Sequence, residues 1–122
     1  MKIKDEHSKW VEQAEKDLNT AKYNLNGGEI DSGVFFLQQT AEKSLKALYI
    51  KKFKRLFRTH DLIILSKKVN APKKIQDYCK ELNPAYQYTR YPDIPSMENL
   101  KEISSDLLKY AEEILTWVKK NI

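Results

Sequence analysis

Apolar residues recur every three or four positions over three long stretches of this 122-residue chain, and this spacing restricts its fold more than any other feature. A period near 3.6 residues places a stripe along one face of an α-helix, whereas a strand alternates every second residue. The stretches cover about residues 5–26, 31–53 and 97–120. The stripe of the first stretch consists of Trp10, Ala14, Leu18, Ala21 and Leu25. The sequence therefore predicts three long amphipathic helices.

The chain contains only three Gly and four Pro, so the boundaries between the predicted helices are easy to locate. Gly27-Gly28 predicts the end of the first helix, and Pro72 predicts the start of a short helix that runs to about residue 82. A second short helix is predicted at Leu62–Leu65, because Thr59-His60-Asp61 offers a capping side chain before it. The other three prolines fall within residues 83–96, which are predicted to form a structured loop.

Capping residues are predicted at the starts of the other two long helices. Asp31 or Ser32 can cap the second, and Ser96 can cap the last, because these side chains accept hydrogen bonds from free N–H groups of the first helical turn. No run of alternating strand residues is visible. We therefore predict a single domain over residues 1–122, an all-α antiparallel up-and-down bundle of three long and two short helices.

Several classes of protein are excluded by simple features of the sequence. No apolar run approaches the ~18 residues that a membrane-spanning helix needs, and the first residues show no secretory signal. One cysteine, Cys79, excludes an internal disulfide and a cysteine-rich zinc site. With only His7 and His60 as histidines, we expect neither a metal nor another cofactor. A cytoplasmic protein that does not bind membranes is the expectation.

The positive charge of the chain is concentrated in one segment. Residues 43–76 contain eleven Lys and Arg but only one acid, Asp61, so this segment has a formal charge of +10. The whole chain has a charge of +5, which leaves −5 for the remainder. Such a field attracts phosphates or an acidic partner, although a solvated lysine-rich face gives the same composition. Charge alone does not separate RNA, nucleotides and acidic proteins as partners.

Three clusters of polar residues stand out against the helical pattern. The first is Gln38-Gln39-Thr40-Ala41-Glu42-Lys43-Ser44-Leu45-Lys46-Ala47-Leu48 on the second helix, where Lys43 and Lys46 share a face. The second is Arg55-Leu56-Phe57-Arg58-Thr59-His60-Asp61-Leu62. The third is Thr89-Arg90-Tyr91-Pro92-Asp93. Together they place cations, a histidine and tyrosines in and beside the basic segment.

These three motifs, in this order and with this helical layout, resemble the HEPN domain (higher eukaryotes and prokaryotes nucleotide-binding) of small prokaryotic proteins. The resemblance covers essentially the whole chain. It implies an all-α bundle with two long antiparallel helices and a tendency to form homodimers. It also implies a minimal nucleotidyltransferase as partner, in a toxin–antitoxin-like system.

Some HEPN proteins are metal-independent RNases, in which an arginine is followed by four to six residues and then a histidine. Arg55 and His60 have four residues between them and are therefore the catalytic candidates that the resemblance implies. Leu56 departs from the pattern, because a polar residue usually follows the arginine in the nuclease families. An imidazole that titrates near neutral pH can act as a base on a ribose 2′-hydroxyl, and an arginine can bind the phosphate.

A binding module is the first of three functions that the sequence leaves open. In this interpretation a dimer holds the phosphates of a nucleotide or RNA with five side chains, those of Lys43, Lys46, Arg55, His60 and Arg90. Tyr88 or Tyr91 stacks a base, because every base has a π-face. For Arg90, an internal salt bridge to Asp93 is the alternative role.

The other two functions differ in what the basic segment does. In the second, the chain is an RNase toxin that uses Arg55 and His60. In the third, it is a structural partner without a ligand, whose basic face, including Lys51 and Lys52, docks an acidic nucleotidyltransferase.

Overall fold

The computed structural model describes residues 6–94 and 99–122. In these residues six helices are found, and no strand. The helices are α1 (Glu6–Asn26), α2 (Ile30–Phe53), α3 (Leu62–Lys68), α4 (Lys73–Leu82), α5 (Ala85–Tyr88) and α6 (Leu100–Asn121). The predicted all-α bundle is confirmed, with α1, α2 and α6 as its three long helices.

The turn between α1 and α2 makes them antiparallel neighbours. Gly28 has φ +84°, a conformation that costs glycine little because it has no Cβ. The Gly28 N–H donates to the Leu25 carbonyl at 3.1 Å, and the Glu29 N–H donates to the Asn24 carbonyl at 2.8 Å. The turn thus satisfies carbonyls that the end of α1 would otherwise leave unpaired.

The structure contradicts the predicted cap of the second helix, and the predicted cap of the last helix lies outside the described residues. Asp31 and Ser32 lie within α2 rather than before it, because the helix already begins at Ile30 and Glu29 occupies the cap position without a side-chain hydrogen bond. That prediction was wrong. Ser96, the predicted cap of the last helix, lies outside the described residues, and α6 begins at Leu100 after Asn99.

The centre of the bundle is α2, which packs against α1, α3, α5 and α6. Every residue from Ser44 to Ile50 is buried, and seven consecutive residues cover all sides of an α-helix. A helix surrounded in this way cannot direct its polar side chains to water, so they must find partners within the protein. This requirement determines the arrangement of the functional site.

The three short helices connect α2 to α6. Of the predicted capping segment Thr59-His60-Asp61, it is Asp61 that caps α3, because its carboxylate accepts hydrogen bonds from the Ile63 and Ile64 N–H groups at 2.9 and 3.3 Å. Pro72 takes the cap position of α4. The predicted loop at 83–96 contains one element that its sequence did not predict, the single helical turn α5. The described part of the chain therefore contains three short helices instead of two.

The close approach of α1 and α2 depends on Gly33, and its replacement by alanine should destabilise the fold. A Cβ at this position would lie 2.6 Å from Cγ and Cδ2 of Leu25 and 3.2 Å from its backbone nitrogen. We expect Gly33→Ala to lower the free energy of unfolding by about 1–3 kcal/mol, as overpacking does elsewhere. Denaturant titration followed by circular dichroism measures the change. A Gly33→Ala protein as stable as the wild type would contradict the packing described here.

The burial of Cys79 and the composition of the helices decide whether the described residues contain a reactive thiol or a membrane-spanning helix. Cys79 is fully buried, and burial raises the pKa of its thiol to about 12, so it remains protonated and acts as a small core residue. None of the described helices combines the length and the apolar character that a membrane-spanning helix requires.

Candidate functional site

His60 lies in the connection between α2 and α3, directly before the Asp61 cap. Its side chain is 54% exposed, while its Nδ1 faces a buried carboxylate. Nδ1 lies 3.1 and 3.2 Å from Oε1 and Oε2 of Glu42, and a carboxylate oxygen accepts the hydrogen bond that Nδ1 donates. This pairing fixes the orientation of the ring and leaves Nε2 as the nitrogen that can contact a ligand.

Glu42 is a buried residue whose carboxylate contacts two further side chains of α2 besides the imidazole. It is 3% exposed, and its Oε2 accepts a hydrogen bond from Nζ of Lys46 at 2.9 Å. Gln38 donates to Oε1 at 3.3 Å and also donates to the backbone carbonyl of His60 at 3.2 Å. The same Lys46 ammonium lies 5.8 Å from the ring centroid of Trp10. The histidine is therefore fixed through both its ring and its backbone by side chains of α2.

The hydrogen bonds of the site continue across α2 to α1. Gln39 donates to Oε1 of Gln38 at 2.8 Å and accepts from Nζ of Lys43 at 3.3 Å. Lys43 in turn forms a 2.6 Å ion pair with Asp17, which is 4% exposed. A continuous polar network thus joins the α1–α2 interface to His60. Such networks are stabilising only when each buried member is satisfied.

An aromatic residue stacks on the ring of His60. Tyr86 of α5 stacks on the imidazole, with ring centroids 4.0 Å apart and an interplanar angle of 17°. The guanidinium carbon of Arg90 lies 4.7 Å from the Tyr86 centroid and 5.7 Å from that of Phe35. Arg90 is exposed, and within the described residues it forms no ion pair with Asp93. A cation and an imidazole therefore share one aromatic ring.

A surface cleft of about 480 Å³ opens beside these groups. Its wall is fixed by Asn83, whose Oδ1 accepts a hydrogen bond from the Leu62 N–H at 2.8 Å and whose Nδ2 donates to Asp61 at 3.3 Å. The residues that line the cleft are His60, Asp61, Asn83, Pro84, Tyr86 and Gln87. The cleft combines an accessible imidazole, a nearby guanidinium and an aromatic face, which are the groups that contact the phosphate and base of a nucleotide.

The residues predicted as ligand contacts from the sequence divide into two groups. Lys43 and Lys46 are paired with Asp17 and Glu42. Tyr88 is 8% exposed, and burial raises the pKa of its hydroxyl to about 12, which keeps it protonated. In this structure Lys46 and Tyr88 are buried, while Lys43, whose side chain is 21% exposed, is held by its ion pair with Asp17.

The remaining predicted residues are accessible. Tyr91 is 45% exposed, and its ring centroid lies 5.8 Å from the guanidinium carbon of Arg90. Arg55 is exposed in the turn that follows α2. The structure therefore brings His60 and Arg90 together around one ring, with Tyr91 also beside the guanidinium.

Sequence reasoning missed two residues that organise this site. Glu42 lies four residues after Gln38 and four before Lys46, a spacing that places all three on one face of a helix. That spacing could have indicated a buried carboxylate with two donors. Tyr86 gave no comparable signal, because its contact with His60 depends on the one-turn helix α5 between two prolines.

The comparisons with known proteins agree with this fold. The family model described as the HEPN domain matches residues 7–121. A protein of Methanocaldococcus jannaschii named "Putative toxin MJ1304" is 30% identical, over 90% of this chain and 84% of the relative.

Two crystal structures are similar over nearly their whole length. TT1696 from Thermus thermophilus has a TM-score of 0.86 and 26% identity, over 98% of this chain and 100% of that one. ST0689, described as an archaeal HEPN homologue, has a TM-score of 0.76 and 31% identity, over 99% and 98% of the two chains. The match to the family model, which spans nearly the whole chain, and the 30% identity to the archaeal relative together show that this protein belongs to the HEPN domain family.

Proposed function

We propose that this chain is a toxin-type HEPN protein that binds the phosphates of RNA or a nucleotide in the cleft beside His60. The observation that carries the proposal is the arrangement of His60, held between Glu42 and Tyr86, with the Arg90 guanidinium over the same tyrosine ring. The name of the Methanocaldococcus jannaschii relative supports a toxin-type role.

The chemistry of these groups favours a phosphate ester over other anions. Arg90 presents a planar fork of N–H donors that matches two phosphate oxygens, and Nε2 of His60 can contact a third oxygen or a ribose hydroxyl. The exposed ring of Tyr91 offers a face on which a base can stack. In this proposal Lys43 and Lys46 act as positioning residues, because their ammonium groups hold Asp17 and Glu42.

Two features of the wider assembly belong to the same proposal. A homodimer would bring two His60 clefts into one particle, and a toxin-type role calls for a partner that neutralises it. The partner we propose is an acidic minimal nucleotidyltransferase, because exposed cations such as Lys51 and Arg58 give this chain a positive surface.

Titration of the purified protein with a fluorescein-labelled single-stranded RNA and with a mononucleotide tests the binding proposal. Binding to the RNA should be measurable at about 50 mM salt and should weaken at about 200 mM, because cations that contact phosphates release counterions. Fluorescence anisotropy measures both. If neither the RNA nor the mononucleotide binds at low salt, the proposal is contradicted.

A metal-independent endoribonuclease is a second candidate, favoured by the Glu42–His60 pair. With Nδ1 bonded to Glu42, Nε2 can accept the proton of a ribose 2′-hydroxyl. The 2′-oxygen then attacks the adjacent phosphate, the bond to the 5′-oxygen breaks, and this leaving oxygen takes up a proton from solvent water. The products are a 2′,3′-cyclic phosphate and a 5′-hydroxyl. Arg55 or Arg90 would stabilise the charge that develops on the phosphate.

Replacement of His60 by alanine tests this candidate. We expect His60→Ala to lower the cleavage rate in the presence of a chelator by a factor of about 10²–10⁴, the usual contribution of a general base. Arg55→Ala provides the second variant, and its cleavage rate should also fall while the protein remains folded. The rates are measured on a labelled RNA by gel electrophoresis. Equal rates for the wild type and both variants would reject the nuclease role and leave the binding role intact.

A further inference from the structure

A second feature lies at the far end of α2, where three aromatic rings form a cluster. Tyr49, which is 4% exposed, contacts Phe53 with ring centroids 4.6 Å apart and Phe57 with centroids 5.3 Å apart. Phe53 is the last residue of α2 and is 44% exposed. We call Tyr49, Phe53 and Phe57 the aromatic cluster. A phenylalanine half exposed on top of a packed ring offers a flat apolar face to solvent.

The segment that carries Phe53 and Phe57, residues 51–68, is rich in cations and contains one acid. The helix ends at Lys54, which has φ 60° and donates its N–H to the Ile50 carbonyl, and the chain then turns back so that Phe57 packs on Tyr49. Nζ of Lys68 lies 5.8 Å from the Phe57 centroid. Exposed basic side chains on this part of the chain are Lys51, Lys52, Lys54, Arg55, Arg58, Lys67 and Lys68.

Acidic side chains do not balance these cations within residues 51–68. The only carboxylate of this segment belongs to Asp61, and it is occupied by the N–H groups at the start of α3. The segment therefore combines a strong positive potential with an exposed aromatic face. This combination is typical of surfaces that bind single-stranded nucleic acid, where cations contact the backbone and aromatic rings stack with bases.

We infer that the aromatic cluster and its cations form a second RNA-binding surface, which holds the single-stranded RNA whose phosphate occupies the His60 cleft. This inference rests on the proposed function and makes it more specific, since it names single-stranded RNA rather than a mononucleotide as the ligand. The turn from Phe53 to His60 connects the two surfaces, because seven residues span at most about 25 Å. Arg55 and Arg58 lie on this turn and can contact the intervening phosphates.

Single strands fit this surface better than duplexes. The bases of an unpaired strand are free to stack on Phe53, whereas those of an A-form duplex are stacked on each other and present mainly their edges. Stacking on phenylalanine is tolerant of sequence, so we expect little preference among bases at this surface. An RNA of about ten residues should reach both surfaces, and a dinucleotide should reach only one.

A pair of matched variants tests the inference. We expect Phe53→Ser to weaken binding of a single-stranded RNA of about 12 residues roughly tenfold, because aromatic stacking contributes to its affinity. Binding of a labelled dinucleotide should not change. Tyr23→Ser is the control, since Tyr23 is 81% exposed but lies near the end of α1 that adjoins the opposite end of α2, and it should bind both ligands as the wild type does. Anisotropy titrations measure all affinities, and thermal unfolding confirms that each variant is folded.

Lys68→Ala provides an independent variant that keeps the aromatic cluster intact. It should weaken binding of the longer RNA at low salt and reduce the slope of log affinity against log salt by roughly one phosphate contact. A duplex of the same length should bind the wild type more weakly than the single strand. These two results would support RNA binding through both the cation and the exposed ring.

Several outcomes would overturn the inference, and they differ from those that would overturn the His60 site. Unchanged affinity for the longer RNA in Phe53→Ser and Lys68→Ala would reject the second surface. If affinity in Arg90→Ala still fell, the His60 cleft would stand. A change in oligomeric state on Phe53→Ser, measured by sedimentation, without a change in RNA affinity would show that a second copy of the chain covers the cluster. If an acidic protein bound the aromatic cluster and RNA did not, the second RNA-binding surface would also be rejected.

Discussion

Replacement of Lys46 by methionine is expected to lower the free energy of unfolding by about 3 kcal/mol. Lys46 is 6% exposed, and its ammonium is the cation that pairs with Glu42 in the interior of the bundle. Methionine fills a similar volume but has no charge, so the Glu42 carboxylate would remain buried without the ammonium group that pairs with it. Removal of one partner of a buried ion pair is costly for this reason. Urea titration followed by circular dichroism measures the loss.

The double variant Glu42→Gln/Lys46→Met is the matched control. It removes both charges, and we expect most of the lost stability to return because no uncompensated charge remains buried. Exposed pairs should behave differently: Lys73→Met breaks the exposed ion pair with Asp77 and should change stability by less than about 0.5 kcal/mol. If Lys46→Met were as mild as Lys73→Met, the described burial of Glu42 would be contradicted.

Replacement of Arg90 by alanine is expected to weaken RNA binding about thirtyfold. The guanidinium lies over Tyr86 and is exposed, and hydrogen bonds between an arginine and a phosphate are typically worth about 2 kcal/mol, which corresponds to that factor. The reduction should be largest at low salt, since part of the interaction is electrostatic. Anisotropy titration with a single-stranded RNA measures it.

The controls for Arg90 separate a specific contact from general attraction. Lys16→Ala removes an exposed cation from α1 and should weaken binding by less than twofold. Arg90→Lys keeps the charge but loses the planar fork, so its affinity should lie between those of the wild type and Arg90→Ala. An Arg90→Ala protein that binds RNA as tightly as Lys16→Ala does would show that Arg90 has only a structural role over Phe35 and Tyr86.

The sequence predicted the long helices well, because each has a clear apolar period and a recognisable boundary. Gly27-Gly28 was predicted to end α1, and the structure ends it at Asn26. A cap of α3 within Thr59-His60-Asp61 was also predicted, since these residues precede an apolar run, and Asp61 is the residue that caps the helix. Local chemistry within one turn of helix was sufficient for these features.

The environment of Lys43 and Lys46 could not be predicted in the same way. Both were predicted to hold the phosphates of a ligand, a role that requires a cation on a helix face open to solvent. The helix that contains them is instead covered by α1 and other elements, so both cations pair with carboxylates. Their partners lie on α1 in one case and on the same helix in the other. Only the tertiary packing decides whether such a lysine faces water or a buried acid.

The aromatic side of the site depends on contacts that are distant in sequence. Tyr86 is 26 residues from His60, and it reaches the imidazole because α5 forms a single turn that the prolines around it had suggested was a loop. Tyr88, two residues later, is buried in the core instead. The one-turn helix decides which tyrosine is buried, and nothing in the local composition distinguishes the two.

The most direct test of the central claim, that His60 contacts the phosphates of RNA, is the NMR spectrum of the two histidine side chains. The chain has only His7 and His60, so each imidazole can be assigned with a single variant. We expect addition of a single-stranded RNA to shift the ring resonances of His60, above all those of Nε2, and to leave those of His7 in place. If the RNA binds and the His60 resonances do not move, the cleft beside His60 is not the binding site.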